Sequence, residues 1–285
     1  GLSMARMRTR AAAEQPDPRC GVPFGQTPPA SAPPSPSLVQ LRAKPAAEVA
    51  KTLCGAGMIV DGWIVPEDLS ITFAQGRQNA VDVLVGSNKD EGAFSRRSTA
   101  EQWTGRVKDR WGERADAYSK LYPGSTDAEA AASAEAAFAD EMFWHMRLFA
   151  DAQTKRGKKA WLYYFTHEPP THPAQRNLRA THSAEIPYVF NNLKAPRVFP
   201  DTSSPELTSA SPRDRALAET VSSYWVNFAR SGDPNTAGLA HWPAFRDGRT
   251  SMILGDVVPV PSSERLALYD ALYAKQMAST RQPSR

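Results

Sequence analysis

The chain has 285 residues, of which 41% are hydrophobic and 9% aromatic, enough for a core in one large α/β domain or two small ones. Its formal charge of +4 includes several arginines near the two ends, and no Lys/Arg stripe interleaved with aromatics points to a nucleic-acid partner. No apolar run approaches the ~20 residues of a membrane helix, and no signal-peptide pattern opens the chain.

The two cysteines, Cys20 and Cys54, are too few for a disulfide framework and have no metal-ligand spacing with the five histidines. A single bridge between them stays open, so the redox compartment is undecided. The sequence also leaves the localisation and the oligomeric state open. The sequence predicts no metal site.

Residues 1–37 are rich in proline and arginine and show no hydrophobic period. Each proline removes a backbone donor and fixes φ, so this segment is predicted to be irregular or disordered. The abrupt change of composition near residue 38 also suggests a shifted reading frame in residues 1–37. Residues 38–275 are predicted to form the folded part, and residues 276–285 a tail.

Hydrophobic periodicity predicts the elements that follow. Residues 127–155 carry a stripe of Phe138, Met142, His145 or Met146, and Phe149 at helical spacing. The aromatic run 161–165 is interpreted as sheet core. In chain order we predict a helix at 41–50, a turn at 60–66, a strand at 81–86, helices at 100–111 and 127–155, a strand at 159–165, a helix from 212 to about 231, a strand at 251–256 and a helix at 262–275. Strands alternating with helices indicate an α/β fold with a mostly parallel sheet flanked by helices.

Two ionisable residues follow the predicted strands. Glu91 comes five residues after Gly86, and His182 lies on the long loop after Phe165. Loops that leave the carboxyl ends of parallel strands converge, so these side chains can meet. A carboxylate that accepts the Nδ1 proton of an imidazole leaves Nε2 to take a proton from a hydroxyl nucleophile.

Several motifs occur together: NKDEGAF at 88–94, HSAEIPYVF at 182–190, and FARSGDPN at 228–235 followed by Trp242 and Pro243. With them the chain resembles the type-B carboxylesterases, the cholinesterase-like α/β-hydrolases, over about residues 41–275. The resemblance implies that Glu91 is the acid and His182 the base of a Ser-Glu-His triad acting on a small carboxylic ester, with no cofactor.

The chain departs from this family in one respect, because no Gly-x-Ser-x-Gly pentapeptide occurs in it. The family would place that motif upstream of Gly1. We therefore expect the chain to be the C-terminal part of an α/β-hydrolase domain that holds the acid and the base but not the serine, and to be inactive alone. The alternatives are a non-catalytic cholinesterase-like module for binding or adhesion, and a hydrolase of another α/β type such as a peptidase.

Other polar residues near the two candidates receive supporting roles. Asp90 is expected to fix its loop, and Glu185 to be a buried hydrogen-bonding partner. Ser183 lacks the strained elbow of a nucleophile. The remaining histidines are expected to be structural or at the surface: His145, His167, His172 and His241.

Overall fold

The computed structural model of the chain describes residues 7–15, 36–51, 58–93, 98–171, 177–194, 210–246 and 250–280. Cys20 and Cys54 lie outside these residues. The chain divides into two compact units, Ser3–Arg77 and Gln78–Ser279. Both predicted site residues, Glu91 and His182, belong to the larger unit.

The smaller unit consists of short elements. Its first strand pairs in parallel with its second, with Arg8 opposite Ile59 and Thr9 opposite Val60. Inside the segment predicted to be irregular, Arg8 and Thr9 form this strand, and the Thr9 side chain caps the short helix that follows by accepting from the Ala12 amide. The elements are β1 (Arg8–Thr9), α1 (Arg10–Ala13), α2 (Leu38–Arg42), α3 (Ala46–Lys51), β2 (Ile59–Val60) and α4 (Leu69–Ala74).

The larger unit is organised around a parallel three-stranded sheet. Its strands are β3 (Val83–Asn88), β4 (Ala160–Phe165) and β5 (Met252–Leu254), in the order β3-β4-β5. Val83 lies opposite Ala160 and Asn88 opposite Phe165, so β3 and β4 end at the same edge. The predicted α/β class with a parallel sheet is confirmed.

The helices that begin at Ala100 and Pro212 each start at a capping side chain. The Thr99 hydroxyl accepts from the Gln102 amide, and Ser211 pairs in the same way with Asp214 ahead of Pro212. No helix in the described residues is long and apolar enough to cross a bilayer. The helices are α5 (Ala100–Trp111), a 3-10 turn (Gly112–Arg114), α6 (Ala115–Leu121), α7 (Asp127–Thr154), α8 (Ile186–Val189), α9 (Pro212–Ser231) and α10 (Ser263–Thr280).

Both faces of β4 are buried, as its continuous apolar sequence predicts. On one face Trp161, Tyr163 and Phe165 pack with α8 and α9. On the other, Leu162 and Tyr164 pack with α7. Helices on both faces hold the strand rigidly, so the loops that leave its carboxyl end start from a fixed position.

The buried side of α7 differs from the predicted stripe. Phe138 is 39% exposed, whereas Phe143 and Trp144 are buried. Phe143 packs on Tyr164 of the sheet, with ring centroids 5.2 Å apart, and Trp144 packs on Tyr269 of α10, with centroids 5.9 Å apart. Because α7 is covered by the sheet and by α10, its buried arc is wider than one stripe.

Candidate active site

The predicted pair of Glu91 and His182 comes together at the carboxyl edge of the sheet. Glu91 lies in the turn after β3, where its Oε1 accepts from the backbone N–H of Asn88 at 2.9 Å. Its Oε2 lies 2.6 Å from Nδ1 of His182. The carboxylate is therefore held by its own turn and aimed at one nitrogen of the imidazole.

His182 lies on the loop that returns to this edge after β4. The backbone N–H of Asp90 donates to the carbonyl of Ala180 at 2.9 Å, and this bond ties the loop to the Glu91 turn. The side chain of His182 is 46% exposed, whereas that of Glu91 is only 5% exposed. The pair thus joins a buried carboxylate to an imidazole that reaches solvent.

Electrostatics favour the protonated form of His182. The hydrogen bond to the Glu91 carboxylate raises the pKa of the imidazole above its ordinary value. Partial burial lowers this pKa, and the negative charges of Glu91 and Glu185 raise it further. Burial also raises the pKa of Glu185. The site therefore stabilises an imidazolium, the species that forms when a histidine acts as a general base.

Asn88 is a site residue that the sequence did not single out. It is the last residue of β3 and is 1% exposed. Its Nδ2 donates to the carbonyl of Thr181 at 2.8 Å and to the carboxylate of Glu185. A polar residue at the end of a buried apolar strand is the signal that could have indicated this role.

Asp90, Glu185 and Ser183 all lie close to the pair. Asp90 fixes its loop, because its Oδ1 accepts from Nε of Arg179 at 2.8 Å and its Oδ2 from the Ala180 amide at 3.3 Å. Glu185 is partly buried, and its carboxylate accepts from Nδ2 of Asn88. Ser183 follows His182 directly, with a positive φ of 68°.

The other histidines are separate from this pair. His167 is buried, with Nε2 lying 2.7 Å from Oδ1 of Asp214. His145 is buried on α7, and its burial lowers its pKa to about 4. His241 is exposed and His172 lies outside the described residues. Across the described residues, no group of three His, Cys, Asp or Glu side chains could hold a metal ion.

The chain is similar to known esterases. A model of the carboxylesterase family matches residues 34–256. Fumonisin B1 esterase of Sphingopyxis macrogoltabida is 34% identical over 71% of this chain and 37% of that protein. Para-nitrobenzyl esterase of Bacillus subtilis (strain 168) is 26% identical over 72% of this chain and 41% of that protein. The chain thus spans about two fifths of the length of these relatives.

Solved structures show the same fold. A PNB esterase structure superposes with a TM-score of 0.61 over 87% of this chain and 50% of that one, at 23% identity. A thermophilic PNB esterase superposes with a TM-score of 0.54 over 69% of this chain and 39% of that one, at 26% identity. The predicted α/β-hydrolase fold is confirmed by these likenesses.

Proposed function

Because this chain belongs to the carboxylesterase family, we propose that it supplies the histidine base and its acidic partner for hydrolysis of carboxylic esters through an acyl-enzyme. The observation that carries this proposal is the 2.6 Å contact between Oε2 of Glu91 and Nδ1 of His182. A buried carboxylate and a half-exposed imidazole are the arrangement that a serine hydrolase needs for proton transfer.

The geometry gives each group a role. Glu91 accepts the Nδ1 proton of His182, so Nε2 is the nitrogen that takes the proton from a serine hydroxyl as its oxygen attacks the ester carbonyl. The imidazolium then gives this proton to the departing alcohol, which leaves an acyl-serine. In the second half, His182 takes a proton from water, whose oxygen attacks the acyl carbon, and returns it to the serine as the acid departs.

We propose that the serine is supplied from outside these 285 residues; the support for this is that they contain no Gly-x-Ser-x-Gly, the motif in which the family carries its nucleophile. Ser183 is a poor substitute, because it adjoins His182 in the chain and does not stand on a strand-to-helix elbow. The names of the two relatives, fumonisin B1 esterase and para-nitrobenzyl esterase, support a carboxylic ester as the substrate class.

A chimera tests the proposal directly. The part of Bacillus subtilis para-nitrobenzyl esterase that matches this chain is replaced by the corresponding residues of this chain, and hydrolysis of a para-nitrophenyl ester is followed. We expect turnover, and we expect His182→Asn to lower kcat by ~10⁴- to 10⁶-fold and Glu91→Gln by about 10⁴-fold. The 285-residue chain alone is expected to show no serine-dependent turnover.

Two results would decide against the proposal. An active chimera that is insensitive to His182→Asn would mean that another group is the base. A folded chimera that binds ester substrates but turns none over, with both residues intact, would favour the alternative of a non-catalytic binding or adhesion module. Circular dichroism of each chimera checks that it is folded.

A further inference from the structure

The backbone around His182 has an unusual conformation. Among the described residues other than glycine, those with a positive φ are Arg179 at 56°, Ser183 at 68° and Asn191 at 47°. All three fall within residues 179–191, on either side of His182. L-residues avoid this left-handed region, so the surrounding contacts must hold the loop in place.

Two side-chain contacts of Arg179 can hold the loop in this conformation. Its Nε donates to Oδ1 of Asp90 at 2.8 Å, and its Nη2 donates to Oε2 of Glu135 at 2.9 Å. Asp90 adjoins Glu91 in the turn after β3, and Glu135 lies on α7. One guanidinium therefore joins the two loops of the site to the helix that lies under them.

The turn itself rests directly on the same part of α7. A Cβ added at Gly92 would lie 2.6 Å from the carbonyl oxygen of Glu135 and 2.9 Å from its Cα. The Glu91 turn thus packs on the helix backbone without an intervening side chain. Arg179 attaches the His182 loop to the same residue of α7, Glu135. The turn that carries Glu91 and the loop that carries His182 therefore contact α7 at one position.

Solvent limits how strong these bonds are. The Arg179 side chain is 40% exposed, and its pairs are screened accordingly. Partial burial lowers the pKa of Arg179, but its bonds to Glu135 and Asp90 outweigh this and raise it. The fork geometry of the guanidinium matters more than the net charge, since a single ammonium could not make both bonds in this arrangement.

We propose that Arg179 is a positioning residue for His182, holding the left-handed turn ahead of the histidine by bonding Asp90 and Glu135 together and so setting the contact between His182 and Glu91. This inference rests on the proposed catalytic role of that pair. In this proposal Arg179 does not contact the substrate.

The competing explanation is that the backbone alone holds the loop. The Asp90 amide donates to the Ala180 carbonyl at 2.9 Å, and Nδ2 of Asn88 donates to the Thr181 carbonyl at 2.8 Å. If these bonds suffice, a variant that lacks the guanidinium but adopts a positive φ without strain at position 179 would leave the conformation of the His182 loop unchanged. Glycine at position 179 creates that situation, because glycine adopts the left-handed region without steric cost.

The experiment compares the 285-residue chain with its Arg179→Gly, Arg179→Ala and Arg179→Lys variants. The pKa of His182 is measured from the pH dependence of its imidazole proton resonance, assigned by its absence in His182→Asn. Hydrogen exchange of the Asp90 and Ala180 amide protons reports on the hydrogen bonds between the Glu91 turn and the His182 loop. Arg110→Ala is the matched control, because Arg110 also pairs with α7, at 2.6 Å to Glu141, and is 48% exposed.

We expect Arg179→Gly to move the pKa of His182 down toward the ~6.5 of an unperturbed histidine and to speed exchange of both amides by about tenfold. Arg179→Ala should show larger changes, since alanine also resists the positive φ. Arg179→Lys should fall between wild type and Arg179→Ala, since its ammonium can keep one of the two bonds. Glu91 and Glu185, the acidic groups that act on His182, are unchanged in all three variants.

Two results would overturn the inference. If Arg179→Gly keeps the wild-type pKa and exchange rates, the backbone alone holds the loop. If Arg110→Ala causes the same changes, they reflect a general loss of stability. Neither readout needs turnover, so an inactive chimera would count against the proposed function while leaving this test intact. Should Arg179→Ala fail to fold, Arg179→Gly still decides the question.

Discussion

Among the described residues of the larger unit, the histidine–carboxylate contacts of His182 and His167 have nearly the same length but different surroundings. His182 lies 2.6 Å from Glu91 and His167 lies 2.7 Å from Asp214. Both carboxylates are 5% exposed, but the His182 side chain is 46% exposed and that of His167 only 8%. The contact alone therefore does not identify a proton-transfer site; the exposure of the imidazole separates the two.

The carboxylates differ as well. Asp214 also accepts from the Tyr188 hydroxyl at 2.8 Å and caps α9 through Ser211, and its pKa is lowered to about 2, because the hydrogen bonds to its charged form outweigh its burial. Asp214 at the start of α9 thus connects three segments of the fold through His167 and Tyr188. Glu91 instead contacts the Asn88 amide of its own turn and one imidazole.

The largest expected difference between the two pairs is in their effect on catalysis. In the chimera described above, His167→Asn should leave kcat within about tenfold of the parent, whereas the same substitution at His182 costs ~10⁴-fold or more. Steady-state hydrolysis of a para-nitrophenyl ester measures both. Comparable losses would remove the distinction between the pairs.

Stability should show the opposite order. Asp214→Ala leaves His167 and the Tyr188 hydroxyl without their buried acceptor and is expected to lower the free energy of unfolding by ~3–5 kcal/mol. Glu91→Ala, which leaves a half-exposed imidazole, should cost about 1–2 kcal/mol. Urea denaturation of the two variants, at constant pH and salt, tests this. A larger loss for Glu91→Ala would contradict it.

Acid should weaken the Asp214 pair in a defined range. The pKa of Asp214 is lowered from 3.8 to about 2, so its contribution is complete above its unfolded pKa and is lost as pH falls from about 4 to about 2. The stability difference between wild type and Asp214→Asn should shrink over this range. Denaturation midpoints measured from pH 5 to pH 2 check this, and a constant difference would rule it out.

The smallest effect concerns His182. Its raised pKa stabilises the fold fully below the unfolded value of 6.5, and this contribution disappears as pH rises through the folded pKa. Because His182 is half exposed, the effect should be below ~1 kcal/mol. Glu91→Gln should abolish it and lower the pKa of His182, as imidazole resonances in a pH titration would show. An unchanged pKa would contradict the pairing.

Local sequence signals predicted much of the fold. The helix at 100–111 has its predicted bounds, and Pro212 marks the start of α9 as expected. The helix α4 was missed, because six residues after the Asp68 cap carry too little periodicity to be distinguished from a turn. The width of the buried arc on α7 depends on α10, which lies far along the chain.

The site was predicted in part. The strand ends and the quoted motifs suggested Glu91 and His182, whose contact the structure contains. Asn88 and Arg179 were not singled out, because the strand-end argument looked for a proton-transfer acid and base, and neither an amide nor a guanidinium fits that role; their contacts with Thr181 and Asp90 emerge only in the folded chain. The left-handed φ of Arg179 has no signature in its residue type.

The close approach of Gly92 to α7 affects how natural variants of this chain should be interpreted. Gly92→Ala adds no charge and removes no polar side chain, so it would ordinarily be classed as benign. Yet even a methyl group at position 92 would have to displace the turn that carries Glu91, since the Glu135 carbonyl oxygen would lie 2.6 Å away. In the chimera, loss of turnover in a well-expressed Gly92→Ala variant would therefore indicate that Glu91 has been displaced.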